Sequence, residues 1–66
     1  MKLIEVNKAL DDCRKHKVSL FMKYREWEKV RVVEVRKAWS SYGTPVVEVK
    51  GGDVMPLVKD ARFFAN

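Results

Sequence analysis

The chain has 66 residues, of which 47% are hydrophobic and 35% charged, and its net charge at pH 7 is +5. This composition excludes a disordered tail, and the longest apolar runs fall far short of the roughly 18 residues that a membrane-spanning helix needs. A chain this short buries only about 60% of the surface that its unfolded form exposes. Most large apolar residues are therefore needed for one core, and we predict a single domain over residues 1-66.

Cys13 is the only cysteine, so no disulfide can form within the chain. The first residues, MKLIEV, have neither the continuous apolar segment nor the small-residue cleavage site of a secretory signal. Both features predict a cytoplasmic protein that is stabilised by packing or by self-association.

The first sixteen residues are predicted to form a helix. Its apolar residues recur at spacings of three and four and so share one stripe: Leu3, Val6, Leu10 and Cys13. Basic residues at 14–17 follow at the end where the helix dipole favours positive charge. Asn7 is an alternative N-cap, and with that cap residues 2–6 would instead form a short strand.

The hydrophobic period changes after Lys17. In VSLFMKY, residues 18–24, every second position is apolar or aromatic, which indicates a half-buried strand. Leu20, Tyr24 and Trp27 also fit the spacing of a helix. Residues 18–27 are therefore predicted to form a strand, with a helix as the alternative.

VRVVEVRKAW, residues 30–39, carries the strongest strand signal in the chain, because valine favours strands and disfavours helices. Val30 and Val32 fall on one face of this strand, and Val33 and Val35 fall on the other. A bulge or sharp bend at Val32-Val33 would direct all four valines into a single core.

The remaining residues are predicted to form short strands joined by tight turns. SSYGT reads as a turn in which Gly43 takes a positive φ, and Pro45 opens the next strand. KGGD, residues 50–53, has the Gly-Gly signal of a two-residue hairpin. Pro56 marks an edge strand, and KDARFF ends in a short closing strand.

The predicted fold class is α+β: an N-terminal helix over residues 1-16, followed by a small, mostly antiparallel five-stranded SH3-like barrel or strongly bent sheet over residues 18-64. The order of elements resembles that of SH3-like barrels, and the resemblance is one of pattern without a diagnostic motif. Such barrels bind RNA, DNA, peptides and protein subunits, so the resemblance selects no function.

Cys13 and His16 are the only residues that suggest catalysis, because they lie one helical turn apart beside Asp12. Cys13, however, completes the apolar stripe of the helix. A metal site would need further ligands from a chain that has no other His or Cys. We therefore predict a protein that is not an enzyme and that has no cofactor and no metal.

Positive charge is concentrated in residues 14–37, which carry nine Lys or Arg and three Glu, whereas the rest of the chain has a net charge of −1. Such a segment attracts polyanions. The predicted nucleic-acid site is a ladder of cations on one exterior face, with a base stacked on Tyr42 or Trp27. The cations are Lys23, Arg25, Lys29, Arg31, Arg36 and Lys37. Of the three rings Trp27, Trp39 and Tyr42, Trp39 is predicted to be the most buried.

Two adjacent apolar pairs, Val46-Val47 and Phe63-Phe64, point to association. Adjacent residues of a strand face opposite sides, so one member of each pair faces outward. The predicted interface is Val46 with Phe63 or Phe64, covered by a second copy of the chain in a homodimer or by a partner protein. Alternatively, the N-terminal helix covers that face.

The sequence leads to two hypotheses of function. The first is a small non-enzymatic nucleic-acid-binding protein that contacts phosphates with weak sequence preference, on either DNA or RNA. The alternative is a protein-interaction module, such as a small adaptor or inhibitor of phage or mobile-element origin, that binds an acidic protein partner through the same basic face.

Overall fold

A computed structural model describes all 66 residues as one helix followed by one antiparallel sheet. The elements are α1 Leu3–Lys15, β1 Leu20–Glu26, β2 Lys29–Ser41, β3 Thr44–Val49, β4 Val54–Pro56 and β5 Arg62–Ala65. The strands are arranged in the order β4-β3-β2-β1-β5. The α+β class and the antiparallel order are confirmed. The sheet is open, with β4 and β5 at its edges, so a closed barrel is not confirmed.

Helix α1 forms as predicted and buries Val6, Leu10 and Cys13 against the sheet. Its start is stabilised by Glu5, whose Oε1 accepts a hydrogen bond of 2.8 Å from the backbone N–H of Lys2. Asn7 lies inside the helix, so the alternative of an N-cap at Asn7 after a short strand is wrong. The helix lacks the length and the apolar character that crossing a membrane requires.

The core is a single cluster of eight buried apolar residues contributed by α1, β1, β2 and β3. Its largest fully buried side chains are Met22, Val6 and Val47. No polar or charged residue is buried, so burying apolar surface provides the driving force for the packing.

Residues 20–26 form β1, and the alternative of a helix over residues 18–27 is wrong. Leu20 and Met22 enter the core, and Tyr24 packs against it. Val18 lies before the strand and is exposed.

The predicted bulge at Val32-Val33 is wrong. Both valines are paired regularly with β1, Val32 with Lys23 and Val33 with Met22. Because Met22 lies in the core, Val33 faces the core and Val32 the opposite side. Val30 and Val32 consequently remain about half exposed.

The register of β2 instead shifts between Val35, which pairs with Val49, and Lys37, which pairs with Glu48. Arg36 is the extra residue of this bulge. A bulge bends its strand, so β2 bends at this point.

Candidate nucleic-acid interface

The side of the sheet opposite α1, called the outer face here, has no helix packed on it. Because Leu20 and Met22 of β1 face the core, the residues that alternate with them face the other way. The pairing registers extend this face across all five strands: Phe21, Lys23, Arg25, Val30, Val32, Glu34, Arg36, Lys37, Trp39, Ser41, Thr44, Val46, Glu48, Val54, Pro56, Arg62 and Phe64.

The outer face is basic. It carries five cations, Lys23, Arg25, Arg36, Lys37 and Arg62, and two carboxylates, Glu34 and Glu48, which leaves a net charge of +3. The Nε of Arg36 lies 2.7 Å from Oε2 of Glu34. The other four cations form no salt bridge with a carboxylate and are free to bind an anion.

Three of these cations converge beside the edge strand β5. They line a shallow depression of about 260 Å³, which we call the basic depression: Lys23, Arg25 and Arg62, together with Tyr24, Val30 and Asp60. Asp60 is the only acidic residue there. The depression therefore presents an excess of two positive charges in a concave surface, where the potential of like charges adds.

The pairing of β1 with β5 places two of the cations in an unfavourable arrangement. Lys23 and Arg62 are direct cross-strand partners. Like charges directly opposite each other destabilise a sheet, and neither side chain has a carboxylate partner in a salt bridge. The arrangement costs stability in the free protein, and an anion that binds both side chains would remove that cost.

An aromatic pair adjoins the basic depression on the same face. Phe21 and Phe64 are cross-strand partners two residues along from Lys23 and Arg62. Their rings are stacked, with centroids 5.4 Å apart and an interplanar angle of 19°. Phe64 lies on the edge strand and is 42% exposed, so part of its ring is open to a ligand.

The structure divides the predicted cations between two faces. Lys23, Arg25, Arg36 and Lys37 lie on the outer face, as above. Lys29 and Arg31 lie on the core side, at the end of the hairpin between β1 and β2, because they pair with Glu26 and Tyr24. Arg31 also forms a salt bridge of 3.9 Å with Glu26. The prediction of one continuous ladder is therefore wrong.

Arg62 is the cation of the outer face that sequence reasoning missed. The sequence signal was RFF, residues 62–64 of the closing strand, in which side chains alternate between the two faces. That pattern places Arg62 and Phe64 on one face, with Phe63 on the other.

The predicted stacking rings lie far apart. Trp27 and Tyr42 are in the turns at opposite ends of β2, so they cannot share one site. Trp39 is the most buried of the three rings, as predicted, although it is 37% exposed on the outer face beside Val46. Trp39 lies on the outer face because the extra residue Arg36 moves every later residue of β2 to the other side of the sheet.

Trp27 occupies a strained position. It is the first residue of a two-residue turn, its φ is 59°, and its side chain is 91% exposed. A left-handed backbone costs an L-residue roughly 1–2 kcal/mol, and glycine avoids most of that cost. We expect Trp27→Gly to raise the free energy of unfolding by about 0.5–1 kcal/mol in urea denaturation.

Trp27→Ala is the matched control, because it removes the ring but retains the strained backbone. This variant should be no more stable than the parent. Equal stabilisation by Gly and Ala would contradict strain as the cause and would attribute the effect to the ring itself.

The residues of the predicted interface lie on two different sides of the sheet. Val46 and Phe64 lie on the outer face, whereas Phe63 pairs with Met22 and packs against the core. Helix α1 packs on the opposite side, so the alternative that the helix covers Val46 and Phe64 is wrong.

Cys13 and His16 do not form a catalytic pair in this geometry. Cys13 is buried in the core. His16 is exposed at the end of α1, where its Nδ1 lies 2.8 Å from the carbonyl oxygen of Asp12. No three side chains of His, Cys, Asp or Glu lie close enough together to hold a metal ion.

Comparison of the chain with protein-family models, curated proteins and solved structures finds no match. The arguments for function therefore depend on the chemistry of the outer face alone.

Proposed function

We propose that the protein is a small non-enzymatic nucleic-acid-binding protein whose outer face contacts the phosphate backbone. The observation that carries the proposal is the basic depression, in which Lys23 and Arg62 oppose each other and neither forms a salt bridge. Arginine and lysine neutralise phosphates, and the counterions that are released drive binding.

The distribution of the remaining cations supports an extended anion over a single phosphate. Arg36 and Lys37 lie at the bulge of β2, several residues along the strand from Val32, which pairs with Lys23. A chain of phosphates can reach both groups of cations. Contacts of this kind are to the backbone and carry little sequence information, so we expect weak sequence preference.

The salt dependence of binding tests the proposal. Four cations of the outer face have no carboxylate partner, and each phosphate contact contributes about −0.9 to the slope of log K against log salt on duplex DNA and about −0.7 on single strands. We expect a slope of about −3.6 or about −2.8, respectively, from fluorescence anisotropy at several salt concentrations. A slope near zero at measurable affinity would contradict phosphate contact.

A second candidate is a protein-interaction module that binds an acidic protein. The observations in its favour are the unpaired edge strands β4 and β5, which can accept a strand from a partner, and the exposed valines of the outer face. Polyglutamate separates the two candidates. Polyglutamate and an unlabelled oligonucleotide of equal charge each compete with a labelled oligonucleotide that is bound to the protein. If polyglutamate competes equally well, the face recognises charge alone, and the protein-interaction module is favoured.

A further inference from the structure

We infer that the outer face binds single-stranded nucleic acid in preference to a duplex, with bases stacked on Phe64 and Trp39. The inference rests on the proposed function and adds the class of nucleic acid. Stacking requires bases that are free of a partner strand, so exposed rings beside cations are typical of single-strand binding sites.

The order of groups on the outer face supports this inference. The basic depression comes first, followed by the stacked pair Phe21–Phe64, then the cations Arg36 and Lys37, and then Trp39. Cations and rings therefore alternate across the face. A single strand likewise alternates phosphates and bases, so it can place phosphates on the cations and bases on the rings.

The length of the outer face suits a short single strand of nucleic acid. Val32, which pairs with Lys23, is separated from Trp39 by about 20 Å at the rise of an extended strand. This distance accommodates only a few nucleotides, near the lower end of the range of about 4–16 that small β-domains bind.

The face is also poorly suited to a duplex. Helix α1 lies on the opposite side of the sheet, so it is not available to enter a major groove from this face. The rings of Phe64 and Trp39 belong to strands of the sheet and are each less than half exposed. They are open to an unpaired base, whereas bases stacked within a duplex are out of their reach.

The experiment compares the affinity of the full chain for a single-stranded thymidylate oligonucleotide with its affinity for a duplex of the same length. A length of about 12 nucleotides lies within the range of site sizes that small β-domains bind. We expect the single strand to bind at least about 10-fold more tightly. Phe64→Leu should weaken single-strand binding about 5- to 160-fold, the range for one stacked base, and should change duplex binding less than about twofold.

Phe64→Tyr is the rescue variant, because it keeps an aromatic ring and should retain at least about half of the affinity. It also covers the case in which Phe64→Leu unfolds, since Phe64→Tyr keeps the contact with Phe21. Trp27→Phe leaves Trp39 as the only tryptophan, and its fluorescence should be quenched by the thymidylate oligonucleotide.

The outcomes separate this inference from the function on which it rests. Duplex binding as tight as single-strand binding, with no effect of Phe64→Leu and no quenching of Trp39, would overturn the single-strand inference and leave the proposed function standing. Absence of binding to either oligonucleotide at low salt would overturn both.

Discussion

Replacement of both Lys23 and Arg62 by glutamate is expected to lower the affinity for nucleic acid about 100-fold or more at roughly 0.1 M salt. The double variant removes two phosphate contacts and adds two repulsive charges in the basic depression. Folding should change little, because one pair of opposed like charges replaces another. Fluorescence anisotropy measures the affinity, and circular dichroism checks the fold.

The matched control is Lys2→Glu with Lys8→Glu, which changes the net charge equally. Lys2 is the N-cap of α1 and Lys8 lies near the middle of this helix, on the opposite side of the sheet. This control should lower affinity only through the weaker overall field, by less than about tenfold. Equal losses of affinity in the two double variants would mean that binding depends only on the total charge of the protein. That result would contradict a site on the outer face.

The single variant Arg62→Glu separates binding from stability. It places a carboxylate opposite Lys23, and a cross-strand pair of opposite charges contributes roughly 0.2–1 kcal/mol. The variant should therefore unfold at a higher urea concentration while it binds nucleic acid more weakly. A loss in both properties would mean that Arg62 has a structural role.

Replacement of Met22 by alanine is expected to have the largest effect on folding. Met22 is fully buried at the centre of the core, and truncation of such a side chain costs about 2–5 kcal/mol. Chains of this length have a total free energy of unfolding of only about 3–10 kcal/mol. Urea denaturation followed by circular dichroism should show a population that is substantially unfolded without denaturant, or a midpoint far below that of the parent.

Val54→Ala is the comparison for Met22→Ala, because Val54 is exposed on the edge strand β4. Its effect should stay within about 0.5 kcal/mol, as for most surface substitutions. A Met22→Ala variant as stable as Val54→Ala would contradict the central place of Met22 in the core.

The elements that the sequence predicts well are those whose signal is local. The stripe of Val6, Leu10 and Cys13 repeats over several turns, so it identifies the helix and its buried face. Alternation in residues 18–24 identifies β1 in the same way, as Leu20 and Met22 confirm.

The faces of β2 were not predictable, because they depend on register. The turn Trp27-Glu28 lacks the glycine or asparagine that usually marks a two-residue hairpin, so nothing in the sequence indicates which residues of β1 and β2 are opposite. A shift of one residue moves every side chain to the other face. Arg31 was therefore grouped with Lys23, although the two lie on opposite sides.

The bulge at Arg36 could not be predicted from the sequence either. A bulge is defined by the partner strand, and here two residues of β2 oppose Glu48 of β3. The prediction instead assumed that all four valines of β2 must be buried. Val30 and Val32 remain about half exposed because their regular pairing with Arg25 and Lys23 places them on the outer face.

The pairing of β1 with β5 determines when the site forms during folding. Phe21 and Phe64 are 43 positions apart in the chain, whereas β1 to β4 are joined in succession by hairpins. Closing so long a loop costs more entropy than forming a hairpin, so we expect the last strand to dock late and to detach first. The basic depression and the aromatic pair exist only while that strand is docked. A ligand that binds both Lys23 and Arg62 would therefore also hold β5 against β1 and slow its detachment.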